Sequence, residues 1–461
     1  MQNSIICEKQ INKILAENNN ENPSKIKNIL QKAKDYNGLS LSDVAALMQI
    51  KSPDLTHELY KTALEIKNKI YGNRIVLFAP LYISNLCSNI CVYCAFSKEN
   101  KTLARRKLTQ EEIKNEVKLL VNQGQKRLLL VAGELDEETA LPYTLESIKT
   151  IYDIKNENGE IRRVNVNMAP LDITGFKQLK ETGIGTYQLF QETYHQETYK
   201  KVHLSGKKSD YNWRLSAMDR AIQAGIEDIG IGVLLGLYNW QFDLLALLQH
   251  AEYLEKTYNI GPHTISVPRL EPAFGSAFID SMQHAVSDDN FLKIIAILRL
   301  AVPYTGIILS TRENAALRKD ALTIGVSQIS AGSRTNPGGY AKEDEHAGQF
   351  YFADHRSIDE IIFELAENGY IPSFCTACYR TQRTGEHFML LAKSGKIKEM
   401  CIPNSLITFK EYLLDYAKEK TQKVGNQVIM EQLEKIENLP LRERTQKILL
   451  DIENKKRDLY I

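Results

Sequence analysis

From Arg74 onward the chain alternates short apolar runs with amphipathic stretches, whereas before it apolar residues recur only at helical spacing, as over Pro23–Tyr36 and Pro53–Ile70. The pattern predicts an N-terminal helical extension over residues 1–73. Eight apolar runs then read as strands: Ile75–Tyr82, Leu128–Ala132, Val164–Met168, Thr186–Phe190, Ile229–Leu235, Thr264–Val267, Gly306–Leu309 and Val326–Ala331. All but the last are followed by a helical pattern: Glu111–Gln123, Leu145–Lys155, Asp172–Thr182, Asn212–Ala224, Leu244–Lys256, Asp288–Val302 and Asn314–Leu322.

Such alternation is expected of an α/β fold with a closed (β/α)8 TIM-type barrel, and it also permits an open doubly wound sheet. The barrel is expected over residues 74–347. Past Gly348 the alternation stops, and residues 348–461 read as a mostly helical C-terminal domain.

Composition narrows the class. The 461 residues are 43% hydrophobic and 25% charged, which describes a globular chain and not a collagen or a disordered tail. Lys+Arg 58 against Asp+Glu 57 leaves a formal charge of +1, so no nucleic-acid partner is expected. The basic run Arg105-Arg106-Lys107 reads as a solvated loop face, and Arg442–Arg457 as an amphipathic surface helix. The longest apolar stretches, Ile229–Leu237 and Phe291–Val302, are shorter than the roughly 18 residues that cross a bilayer. Lys9 and Lys13 precede no apolar core of a secretory signal, so the expectation is a cytoplasmic protein with no membrane partner.

The seven cysteines carry the chemistry. Cys7 stands alone and reads as an ordinary thiol, while the others form two groups of three. Cys87, Cys91 and Cys94 are spaced C-x3-C-x2-C in the loop leaving the first strand. Three thiolates can hold three irons of a cubane, and the fourth iron is then free to bind a small molecule. A structural zinc would need a fourth Cys or His, and none lies between Asn73 and Leu141. The second group, Cys375, Cys378 and Cys401, is spaced C-x2-C-x22-C. It reads either as a second cluster or as a zinc site completed by a His such as His387.

The first group, with Tyr93 before its last cysteine, resembles the radical S-adenosylmethionine (SAM) superfamily. The resemblance implies a 4Fe-4S cluster that binds SAM and cleaves it to a 5'-deoxyadenosyl radical. Ala132-Gly-Glu134 resembles the motif that touches the SAM amino group, although such a pair is also a simple turn. Glu192, in Phe190-Gln-Glu192, resembles the acid that bonds the ribose, and Arg214 is a candidate clamp for the cofactor carboxylate.

The segments Gln191–His195, Ala217–Ala221, Gly261–Ser266, Leu309–Glu313, Ala331–Arg334 and Pro372–Arg380 narrow the resemblance to the aromatic amino acid lyases. Among these it is similar to the tyrosine lyases that mature the iron-iron hydrogenase. That family implies cleavage of the Cα–Cβ bond of L-tyrosine to p-cresol and dehydroglycine, then carbon monoxide and cyanide formed on an auxiliary cluster with an extra iron. His263 matches the ligand of that iron; a His in an apolar strand is otherwise more often a hydrogen-bonded core residue. Arg334 resembles the residue that pairs with the tyrosine carboxylate, with Arg312 a second candidate. The implied partners are an electron donor such as a ferredoxin or flavodoxin, and other hydrogenase maturation proteins.

Three features, Glu271, Arg214 where a His is common and Met168-Ala-Pro170, lean toward the thiazole-pathway 2-iminoacetate synthase, which lacks the second cysteine triad. A non-catalytic iron-sulfur scaffold is the alternative of another class. His263 precedes the sixth strand, so it is expected at the mouth opposite the Cys87 loop, about 20 Å away for strands of about six residues. Small fragments would then need a passage through the barrel.

Overall fold

The first long apolar run, Arg74–Ser84 (β1), is buried along all but its first residue, as a strand covered on both faces must be. In the computed structural model it is followed by Arg127–Ala132 (β2), Arg163–Asn167 (β3), Tyr187–Glu192 (β4), Ile229–Val233 (β5), Thr264–Ser266 (β6), Gly306–Leu309 (β7) and Gln328–Ser330 (β8). Successive strands pair in parallel. β8 returns to β1 through Val76↔Gln328, Leu77↔Ile329 and Phe78↔Ser330. This closure excludes the open doubly wound sheet and makes the fold a TIM-type barrel. The structure describes residues 5–156, 159–276, 278, 283–342 and 347–461.

Helices cover the barrel largely where the periodicity puts them, with instructive differences. The helix after β2 spans Glu137–Asp153 and contains Pro142; the sequence reading begins only after this proline, whose missing N–H weakens a helical pattern. The expected helix Asn212–Ala224 is two, Tyr211–Leu215 and Ala217–Gln223, separated by Ser216 at φ −86°, ψ 14°. A helix the sequence did not suggest, Gln196–Val202, follows β4 and is capped by His195. After β8 a helix at Ile358–Glu367 starts from a capping box of Ser357 and Glu360.

The C-terminal region is joined to the barrel by backbone pairing. Ile371–Ser373 (β9) lies parallel to the start of β1, in register Arg74↔Ile371 to Val76↔Ser373. It was not foreseen because it is three residues long and contains Pro372, which a ladder accepts only at an edge. The N-terminal helices Glu8–Glu17, Leu41–Met48 and Pro53–Ile70 pack on Trp240–Tyr258 or Asp288–Ala301, and Pro23–Ala33 packs on the last two of them. Among the described residues no helix is long and apolar enough to cross a membrane.

Candidate functional site

All eight strand exits contribute to a cavity at the C-terminal mouth, about 1510 Å3 with its solvent-open part included. Cys87, Cys91 and Cys94 line it together. Their loop is fixed from three sides. Ile90–Cys91 forms a two-stranded ladder with His203–Ser205, in which Cys91 opposes His203. Tyr93 donates its hydroxyl to His203 Nε2 (2.9 Å), because Nδ1 faces the Tyr199 carbonyl (3.0 Å) and takes the ring proton. Arg105 donates to the carbonyls of Asn85 (2.9 Å), Phe96 (2.9 Å), Asn100 (3.0 Å) and Ser97. The reading of Arg105 as a solvated loop residue is therefore corrected: an arginine with five donors can organise the carbonyls of a loop that is irregular outside its short ladder. Arg106 and Lys107 are exposed, as expected.

Burial pushes all three thiols above the usual cysteine range, Cys94 to about 11, and Lys208 acts in the opposite direction on each. A zinc ion would draw its thiolates in to about 2.3 Å. Among the described residues no three Cys, His, Asp or Glu side chains stand close enough to hold a single ion. Three thiols lining one cavity with the cation Lys208 on its wall fit a larger anionic group such as an iron-sulfur cubane.

Around this loop runs a closed circuit of polar contacts. Asn89 Nδ2 donates to Glu134 Oε2 (2.9 Å), and Arg214 Nη1 to Glu134 Oε1 (2.8 Å). Arg214 Nη2 lies 3.7 Å from Glu192 Oε1, which Lys208 Nζ approaches to 2.7 Å. The Lys208 amide returns to Asn89 Oδ1 at 3.0 Å. Burial works to raise Glu134, but Arg214 and Lys208 prevail and hold it below the usual range. Gly133 must be glycine, since a Cβ there would sit 2.2 Å from the Leu86 carbonyl oxygen. Glu192 has φ +71°, a strained conformation for a side-chain-bearing residue and one typical of functional sites. Arg214 also spends Nε on the Phe190 carbonyl (2.7 Å), so its fork orients the two acids. Asn89 and Lys208 were missed by the sequence reading; the pair Lys207-Lys208 carries no signal beyond ordinary surface charge.

On the opposite wall Arg312 lines the cavity, its guanidinium 3.3 Å from the Phe350 ring centroid, with Glu271 on the same wall. Burial lowers Arg312, partly opposed by Tyr82 and Glu271. Burial raises Glu271, and Glu313 adds to it. Arg334 is not on the cavity wall: Nη1 turns back to the Ser333 carbonyl at 3.0 Å. Residues from beyond β8 complete the wall, with Tyr82 donating to Gln349 Oε1 at 2.9 Å.

The second thiol group lies at the N-terminal mouth. Arg127, the first residue of β2, donates to the Cys375 carbonyl at 2.8 Å, and Arg74 and Arg127 both oppose the burial that raises the Cys375 thiol. Tyr379 reaches Thr186 before β4 (3.1 Å) and stacks under Arg163 of β3 (3.9 Å). His263 lies at the same end: Nδ1 is 3.3 Å from Asp228 Oδ1 and the ring stacks on Phe388 at 4.0 Å. Burial holds His263 below the usual histidine value, so it is a neutral donor with Nε2 available. Arg127 Nε and Asp228 Oδ2 are buried without hydrogen-bond partners among the described residues. Thiols, cations and a neutral imidazole at one mouth fit a second cluster with a histidine-ligated metal. His387 is exposed, 3.3 Å from the Gln382 carbonyl, so it does not complete a zinc site with these thiols.

Polar side chains line part of the lumen between the mouths. Gln188 lines the cavity floor and donates to Thr264 at 3.3 Å, and Gln328 packs against Gly306.

Comparison with known proteins agrees with this geometry. Residues 81–250 match the Radical SAM superfamily, and residues 266–371 the Biotin and Thiamin Synthesis associated domain. The 2-iminoacetate synthase of Salmonella typhimurium is 32% identical over 344 residues, 74% of this chain and 89% of that protein. A crystal structure of HydG, a maturase of the FeFe-hydrogenase, superposes with a TM-score of 0.96 at 49% identity, covering 99% of this chain and all of that one. The chain belongs to the HydG-like branch of the radical SAM enzymes. HydG from Carboxydothermus hydrogenoformans is also similar, with a TM-score of 0.84 and 44% identity over 96% of this chain and 98% of its own. The HydG-like fold makes the chain an enzyme of radical SAM lyase type, and the superfamily implies a 4Fe-4S cluster and SAM.

Proposed function

We propose that this enzyme cleaves the Cα–Cβ bond of L-tyrosine to p-cresol and dehydroglycine, and that carbon monoxide and cyanide derived from the second fragment serve assembly of the iron-iron hydrogenase. The observation that carries this reading is the pair of thiol triads at opposite mouths of one barrel, with His263 and Asp228 beside the second. The full-length likeness to HydG supports it, since the 2-iminoacetate synthase likeness stops at 74% of the chain.

At the first mouth Cys87, Cys91 and Cys94 would hold the cluster, which supplies the electron for reductive cleavage of SAM. Glu134 and Glu192 would bind the amino group and ribose of SAM, and Tyr93 its adenine side. Arg312, on the cavity wall, would bind the tyrosine carboxylate and Glu271 would face its ammonium, which would fix the amino acid backbone before hydrogen abstraction. Tyr82, Gln349 and Phe350 form part of the same wall. At the second mouth Cys375, Cys378 and Cys401 would hold the auxiliary cluster, and His263 its extra iron.

The thiazole-pathway reading is favoured by the 2-iminoacetate synthase relationship and by Glu271. Anaerobic protein with both clusters, given SAM, a reductant and tyrosine, distinguishes the two. p-Cresol with carbon monoxide supports the proposal, p-cresol alone supports the thiazole reading, and absence of both excludes tyrosine lyase chemistry.

A further inference from the structure

The cleavage site contains a buried cation that the sequence motifs do not mark. Lys208 sits in the turn Lys207–Ser209, and its side chain is 11% exposed. It lines the cavity that Cys87, Cys91 and Cys94 share. Two contacts at opposite ends of the residue lock it there. Its amide is bound by Asn89, inside the cysteine loop, and its ammonium by Glu192, at the exit of β4. The segment that delivers it is itself held to the loop by the Cys91↔His203 pairing, and Gly206 at φ +88° turns the chain against Asn89.

Charge explains why a lysine belongs here. Glu134 and Glu192 carry two negative charges, and Arg214 supplies one positive charge. Without Lys208 this buried group would be net negative beside three thiol ligands. Adding an electron to an anionic centre is harder when the nearest fixed charges are negative. Glu192 in its strained conformation also needs a partner that keeps its carboxylate turned to the cavity.

We infer that Lys208 is a positioning residue of the radical-generating site: it balances the charge of the cluster surroundings and holds Glu192 in the geometry that binds SAM. The inference rests on the reading of this cavity as the SAM site.

The test uses holoenzyme carrying both clusters and compares wild type with Lys208→Gln and Lys208→Arg. The first cluster's midpoint potential is measured by a redox titration followed by electron paramagnetic resonance, and SAM affinity from the spectral change on its addition. The second cluster's signal serves as a control for folding. Lys208→Gln is expected to move the potential to more negative values and to weaken SAM about tenfold or more, the effect of losing one charged hydrogen bond. The second cluster should be unchanged. Lys208→Arg is expected to restore both properties to near wild type. A Gln variant equal to wild type in potential and affinity overturns the inference. So does an Arg variant as impaired as the Gln variant; where the Gln variant loads no iron, an Arg variant whose potential or SAM affinity departs from wild type by the same expected amounts overturns it. Failure of the wild-type protein to respond to SAM would instead refute the reading of the cavity.

Discussion

His263 Nδ1 lies 3.3 Å from Asp228 Oδ1, and Thr186 donates to that same oxygen at 3.0 Å. The carboxylate holds the imidazole with Nε2 directed away from it, the arrangement that orients metal-binding histidines. Replacing Asp228 by Asn should lower retention of the extra iron about 10–100-fold. p-Cresol formation should persist. Iron content per chain and the electron paramagnetic resonance of the second cluster measure the first effect; unchanged iron in the variant would show that Asp228 merely packs.

Arg312 and Arg334 are separated by their position relative to the cavity wall. Arg312→Gln is expected to raise the KM for tyrosine about tenfold or more, the loss of one charged contact to a carboxylate. Arg334→Gln should change KM by less than about threefold, since its guanidinium turns to the Ser333 carbonyl and is not on the cavity wall. Steady-state p-cresol kinetics decides, and the reverse order would restore Arg334 as the carboxylate ligand.

These two arginines show what the sequence could and could not convey. The thiols were legible because Cys87, Cys91 and Cys94 are neighbours in the chain, and spacing is a local property. The barrel was legible because buried parallel strands need continuous apolar runs. Arg334 was favoured over Arg312 on motif position, and only side-chain direction distinguishes them. Lys208 was hidden because its partners, Glu192 and Asn89, lie on other elements, and a lysine pair in a polar turn looks like any solvated loop. Arg105 was hidden in the same way: its partners are backbone carbonyls, which leave no trace in residue identity.

The two thiol groups should be separable by mutation. Cys375→Ala with Cys378→Ala is expected to abolish iron-bound carbonyl, seen by infrared spectroscopy, while p-cresol continues within about threefold of wild type. Cys91→Ala should stop both. Equal loss of p-cresol in the C-terminal double variant would mean that the two mouths do not act separately.

Asp243 is a buried acid that holds the backbone just past β4. Its Oδ1 accepts the Tyr194 amide (2.8 Å) and the Thr193 hydroxyl (3.0 Å), just past Glu192. Burial raises the carboxyl from 3.8 to about 7, with those two hydrogen bonds acting in the opposite direction. A folded-state value above the unfolded one means that the folded chain binds the proton more tightly. Its stabilising contribution is complete below pH 3.8 and is lost as pH rises through about 7. That interval corresponds to about 4 kcal/mol as an upper bound, at 1.36 kcal/mol per pH unit. Asn at this position keeps an oxygen acceptor and does not titrate. Thermal unfolding of anaerobic wild-type and Asp243→Asn protein between pH 5 and 8 should therefore show the variant gaining stability relative to wild type as pH rises. Parallel melting curves at every pH would place the Asp243 titration outside this range.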